Sequence, residues 1–157
     1  MDLPEFPVEG GCQCGAVRYR LTGPPLGVYN CHCKDCQRFS GAGWSMSMPV
    51  ARDRVEHLSG TLNAYESTSD SGRVVRMSSC TRCNTRVWNE PAAASGLLIV
   101  RAGTLDDMGW AVPVGNIWTS SRASWVEIDP ALVNFQGQPA DRQPLYDAWT
   151  ALTHKGG

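Results

Sequence analysis

Hydrophobic and polar positions along this chain alternate in short stretches. Trp44, Met46 and Met48 alternate with Ser45 and Ser47, the period-two signature of a half-buried strand. Residues 73–78 alternate less regularly. Runs of this kind, separated by turn-forming residues, predict strands at 16–22, 27–31, 44–50, 54–59, 63–66, 73–78, 85–89, 97–102 and 125–128. Helix is sparse: a turn over 34–39, another over 91–95 and a longer segment over 145–153. The 16 Gly and 10 Pro are spread throughout, which suits short strands and many turns. The pattern predicts a mainly β protein built of small, mostly antiparallel sheets with few short helices. No repeat or low-complexity segment interrupts it. A single domain over 1–157 is expected, with its core at about 9–136 and a tail over 137–157. Pro139 and Pro144 suggest that the tail wraps loosely.

Composition adds a difficulty. Only 30 of the 157 residues are Leu, Ile, Val or Phe, a thin supply for a core. A net charge of −1 argues against disorder, so something besides aliphatic packing holds the fold. Trp44, Trp88, Trp110, Trp118, Trp125 and Trp149 supply apolar area and are expected mostly in the core, with one or two lining a cleft. The near-neutral charge and pI of about 6.3 create no field toward nucleic acid or anionic lipid. The longest strictly apolar run is residues 97–100, too short to span a membrane. Neither nucleic acid nor membrane is expected as a partner.

The seven cysteines are the other stabilising candidate. They fall at Cys12, Cys14, Cys31, Cys33, Cys36, Cys80 and Cys83. The opening MDLPEFPVEGGCQCG has no basic region followed by an apolar one. A cytoplasmic chain with reduced thiols is therefore expected, where clustered cysteines serve metals or catalysis. In extended backbone, residues i and i+2 share a face, which aligns Cys12 with Cys14 and Cys31 with Cys33. A helical turn opening near Cys33 would return Cys36 to the same side. Gly15 and Asn84 follow two of the pairs and tolerate the left-handed turn that aims N–H groups at sulfur. Four thiolates close a tetrahedral zinc, and three leave a position free. Cys12, Cys14, Cys80 and Cys83 are the expected closed set, and Cys31, Cys33 and Cys36 the open one. Spacing also permits Cys12, Cys14, Cys31 and Cys33 as the closed set.

Five segments read in order carry a resemblance: GGCQCGAVRY at 10–19, CHCKDCQRFSGAG at 31–43, CTRCNTRVW at 80–88, VRAGTLDD at 100–107 and NIWTSSRASWVEI at 116–128. Together they resemble the glutathione-dependent formaldehyde-activating enzyme family, which also contains centromere protein V-like proteins. The resemblance implies a zinc-stabilised β fold of the tent type. It also implies two zinc ions per chain, one structural with four cysteine ligands and one catalytic with three. Asn84 stands where the family usually has Gly, and Asn116 where relatives often have His.

The chemistry expected at the open set is that of a carbon–sulfur lyase. Soft thiolate donors exchange readily with an incoming thiol, and the family would condense glutathione with formaldehyde to S-hydroxymethylglutathione or reverse that step. The partner would be a small thiol or thiol adduct. Cys31, Cys33 and Cys36 are the catalytic candidates. Arg38, Arg101 and Arg122 are the candidate cations for the substrate carboxylates. His32 is expected to point away from the metal side, His57 to be structural and His154 solvated. Asp106 and Asp107 read as a turn. Two other functions share these features: a same-fold enzyme on another small substrate, and a non-catalytic zinc-stabilised binding module of the kind found in Rab-binding chaperones.

Overall fold

The computed structural model describes residues 1–69 and 72–154. It is mainly β. The strands, in chain order, are β1 (Val8–Gly11), β2 (Arg18–Leu21), β3 (Tyr29–Cys31), β4 (Ser45–Ala51), β5 (Val55–Ser59), β6 (Leu62–Thr68), β7 (Val74–Cys80), β8 (Arg86–Pro91), β9 (Leu97–Arg101), β10 (Gly115–Ile117) and β11 (Val133–Asn134). Two helices join them, α1 (Lys34–Ser40) and α2 (Gln143–Thr153). One sheet has three strands in the order β1-β2-β5; the other has eight, in the order β11-β10-β3-β4-β9-β8-β7-β6. All pairings are antiparallel except β10 with β3 and β10 with β11.

The small sheet covers one face of the large one. Val17, Tyr19 and Leu21 have no exposed surface and alternate with Arg18 and Arg20, so the small sheet turns its apolar face inward. They meet Met48 and Val50 of β4, Leu98 and Val100 of β9 and Trp88 of β8 in one cluster. The Tyr19 and Trp88 rings touch edge to face at 5.9 Å between centroids. On the outer side, Glu9 Oε1 accepts from Arg20 and Asp106 Oδ1 accepts from Arg18 at 2.8 Å. These contacts tie β1, β2 and the turn after β9.

Eight of the nine expected strands form, most within two residues of their expected ends. Residues 125–128 do not. Val126 N–H donates to the Ala123 carbonyl, and the Val126 carbonyl accepts from Arg122 Nε, so a turn and a side chain use the groups a ladder needs. Trp125, expected in the core, is 69% exposed, and Trp44 lies at the surface. Trp88, Trp110 and Trp149 are buried. β1, β10 and β11 were not expected. They are two to four residues long, too short to show a period. The turn expected over 91–95 is a 3-10 turn over Ala92–Ala94.

The C-terminal segment does not wrap loosely. Leu145 and Trp149 sit four residues apart on α2, on one helical face, and are fully or almost fully buried. Pro144 falls in the first turn of α2, where its missing N–H costs nothing. Gly115 lets this helix close in: a Cβ there would collide with the Val133 carbonyl and the Leu145 side chain.

Candidate metal centres and the adjoining cavity

The cysteines gather in two groups. Cys12, Cys14, Cys80 and Cys83 form one and Cys31, Cys33 and Cys36 the other, with the sulfur atoms of each group within 4.8 Å of one another. Cys12 and Cys14 therefore stand with Cys80 and Cys83, not with Cys31 and Cys33. A tetrahedral ion with bonds of about 2.3 Å to sulfur needs sulfurs about 3.8 Å apart. Cys12 and Cys14 lie 3.5 Å apart, and Cys14 and Cys80 3.9 Å. The four-cysteine group fits such an ion in geometry and in donor chemistry.

Local backbone explains the convergence. Gly15 at φ 75° and Asn84 at φ 59° take the left-handed conformation expected of them. Val17 N–H donates to Cys12 Sγ at 3.2 Å and Arg82 N–H to Cys80 Sγ at 3.4 Å. Such bonds stabilise thiolate charge. In the other group, Cys31 ends β3, and Cys33 is the N-cap of α1, its sulfur accepting from Cys36 N–H at 3.4 Å. One helical turn then brings Cys36 back to the two strand residues. In this trio, hydrogen bonds from Cys31 and Cys33, aided by Arg101 and Arg86, hold the Cys36 thiol far below its ordinary range. Hydrogen bonding within the trio and burial push Cys31 up.

The two groups differ in what surrounds them. The three-cysteine group opens on a cavity of about 260 Å³. Its floor is the face of the large sheet turned away from the core. On β9, Ile99 and Arg101 face the cavity while Leu98 and Val100 face the core. Ser47 of β4 and Met77 of β7 lie on the same side. Trp118 also lines the cavity, and its backbone is left-handed at φ 58°, rare for a bulky residue.

Four arginines line this cavity: Arg73, Arg86, Arg101 and Arg142; the single carboxylate is Asp35. Arg101 is 7% exposed and donates to Ser45 Oγ at 3.0 Å and Ser47 Oγ at 3.1 Å. Arg86 donates to the same Ser45 oxygen at 3.5 Å and lies 4.5 Å over the Phe39 ring. Burial, then repulsion from Arg101, pushes Arg86 down to about 10. Neither guanidinium has a carboxylate within 4.0 Å among the described residues. Arg101 Nε, Arg142 Nε, Gln138 Nε2 and Asn89 Oδ1 are buried without partners.

Of the three arginines expected near substrate, Arg101 alone is in the lining. Arg38 projects from α1 with its side chain 77% exposed, 3.8 Å from Asp35. Arg122 donates to the Val126 and Thr119 carbonyls and serves the turn that replaces the expected strand. Arg86 and Arg142 escaped sequence reasoning. Arg86 follows Cys83 by three residues, and no one-dimensional signal marks its side chain as facing the other cluster.

His32 is buried and points away from the trio's opening. Its Nε2 is 3.0 Å from Asn116 Oδ1, which also accepts from Asn30 Nδ2 at 3.3 Å. Asn116 Nδ2 donates to Asn134 Oδ1 at 2.9 Å. An amide oxygen only accepts, so His32 carries its hydrogen on Nε2. His57 lies in β5, bonded to the Ser59 carbonyl at 2.8 Å, and His154 is exposed. Asp107 accepts from Gly109 N–H in a turn at 2.9 Å.

A mainly β chain with one four-thiol and one three-thiol cluster is a candidate metalloprotein of the β-tent type. The family model for the glutathione-dependent formaldehyde-activating enzyme matches residues 7–121, and the chain belongs to that family. A Halomonas elongata protein named "Putative glutathione-dependent formaldehyde-activating enzyme" is 26% identical over 127 residues, covering 78% of this chain and 81% of its own. A crystal structure of a Rhodobacter sphaeroides protein shares the fold at a TM-score of 0.51 and 15% identity, covering 81% of this chain and 98% of that one. No helix among the described residues is long and apolar enough to cross a membrane.

Proposed function

We propose that this chain is a zinc-dependent carbon–sulfur lyase that joins glutathione to formaldehyde, giving S-hydroxymethylglutathione, or runs that reaction backwards. The observation that carries the reading is the three-cysteine trio opening on a cavity lined by four arginines. Family membership supports it. Cys12, Cys14, Cys80 and Cys83 would hold a structural ion, and Cys31, Cys33 and Cys36 a second one. When bound by the trio, zinc supplies a Lewis-acid position for a thiolate sulfur or an aldehyde oxygen.

The rest of the work falls to the chain. Arg101 and Arg86 face the cavity without carboxylate partners and receive a substrate carboxylate. Arg73 and Arg142 can take a second. Trp118, Ile117 and Tyr29 wall off water. The sulfur forms one bond to the aldehyde carbon, the carbonyl π bond opens, and the proton lost by the thiol ends on the hydroxymethyl oxygen. No electron acceptor is needed. Catalysis here is orientation and charge stabilisation.

Two-dimensional exchange NMR on glutathione, formaldehyde and their adduct tests the reading. Exchange cross-peaks that grow with the concentration of the zinc-loaded protein, above the spontaneous rate, are expected. A rate equal to the spontaneous one would sink the assignment.

A further inference from the structure

We propose that Arg86 and Arg101, held side by side on Ser45, select thiols that carry an anionic group, so that the cavity takes carboxylate-bearing thiols and discriminates against neutral and cationic ones. This rests on the reading of the trio as an open thiol-binding metal site.

The argument is one of uncompensated charge. Buried cations in proteins are ordinarily paired. Arg101 is almost fully buried, yet its only hydrogen-bond acceptors among the described residues are two neutral hydroxyls, and its Nε has none. Arg86 shares one of those hydroxyls and a thioether sulfur. Ser45 Oγ thus draws two like charges together, opposite Cys31 in the β3–β4 register. Three thiolates around a divalent cation carry one net negative charge, and two guanidiniums bring two positive ones. The site falls one negative charge short. Arg142 and Gln138 add further unpartnered donors to the same cavity, and its one carboxylate, Asp35, already faces Arg38. The whole chain carries a charge of −1, so this concentration of cations is local. An anionic ligand completes the balance; a neutral or cationic one leaves it open.

The test uses the full chain loaded with cobalt in place of zinc, titrated separately with mercaptoacetate, mercaptoethanol and mercaptoethylamine. Visible sulfur-to-cobalt absorption reads the arrival of a further thiolate. Mercaptoacetate is expected to half-saturate at a concentration at least about tenfold below mercaptoethanol, the size of one charge-assisted hydrogen bond. Mercaptoethylamine is expected to be weakest. In Arg101→Gln the first gap should narrow to about threefold or less, with the thiol-free spectrum unchanged; Arg86→Gln provides the same reading should Arg101→Gln misfold. Equal half-saturation by all three thiols overturns the proposal and leaves the open metal site standing. A preference for mercaptoacetate that survives in both variants makes the carboxylate a metal ligand and also overturns it. No spectral change with any thiol overturns the open site and the proposal together.

Discussion

The two cysteine clusters use the same ligand chemistry and differ in what lies beside them. Around Cys12, Cys14, Cys80 and Cys83 the polar work is done by backbone: left-handed turns at Gly15 and Asn84, and N–H groups aimed at sulfur. Around Cys31, Cys33 and Cys36 it is done by side chains, with Arg86 and Arg101 on one side and a cavity beyond. The first cluster joins the N-terminal strands to the β7–β8 turn, some seventy residues on. The second is assembled within six residues. A long-range tie constrains the fold, whereas a local cluster leaves the fold to others and can spend its geometry on a ligand.

The largest effect expected from breaking this contrast is at the tie. Cys80→Ser should abolish cooperative folding, because a structural zinc site supplies on the order of 10 kcal/mol in small domains. Circular dichroism and thermal melting of the metal-loaded protein measure it. A variant that melts like the parent would show that the cluster is not structural. Cys36→Ser should leave a folded protein that binds one ion where the parent binds two, counted by elemental analysis. Equal unfolding by both substitutions would erase the distinction between the clusters.

A smaller effect sharpens the picture of the open side. Asn116→Ala removes the acceptor of His32 and Asn30 and the donor to Asn134. Loss of about 1–3 kcal/mol of stability is expected, the cost of leaving buried polar groups unpaired. Denaturant unfolding checks it, and no change would mean water replaces the amide. The smallest effect concerns the flank of the closed cluster. Hydrogen bonding to Arg18 holds the Asp106 carboxyl below its ordinary value of 3.8. A lowered value contributes stability above the unfolded pKa and loses it as pH falls through the folded one. Asp106→Asn should therefore lower the melting temperature slightly near neutrality. The gap from the parent should close as pH drops below about 4. A gap independent of pH would assign the effect to packing.

Much of this was legible in the sequence, and the reason differs by element. The clusters could be read because Cys spacing encodes ligand geometry over one turn or one strand step, as at Cys33 and Cys36. The longer strands could be read from apolar runs. The Ser45–Ser47 face could not. Serine reads as solvent-facing in an alternating pattern, and here both serines are buried beneath Arg101. Arg86 and Arg142 were invisible for a related reason. Arginines are ordinarily surface residues, and only tertiary register turns these two into a cavity. Trp125 misled in the opposite direction: a large apolar ring within a short apolar stretch ended in a turn at the surface.

Strand β4 sits near the middle of the large sheet with serines on one side and methionines on the other, and both sides are covered. A slip of one residue against β3 or β9 would drive Met46 and Met48 onto the guanidiniums and push hydroxyls into oil. The polar lining that readies the molecule for its ligand thereby doubles as an alignment key, penalising every mispaired version of the sheet before any ligand arrives.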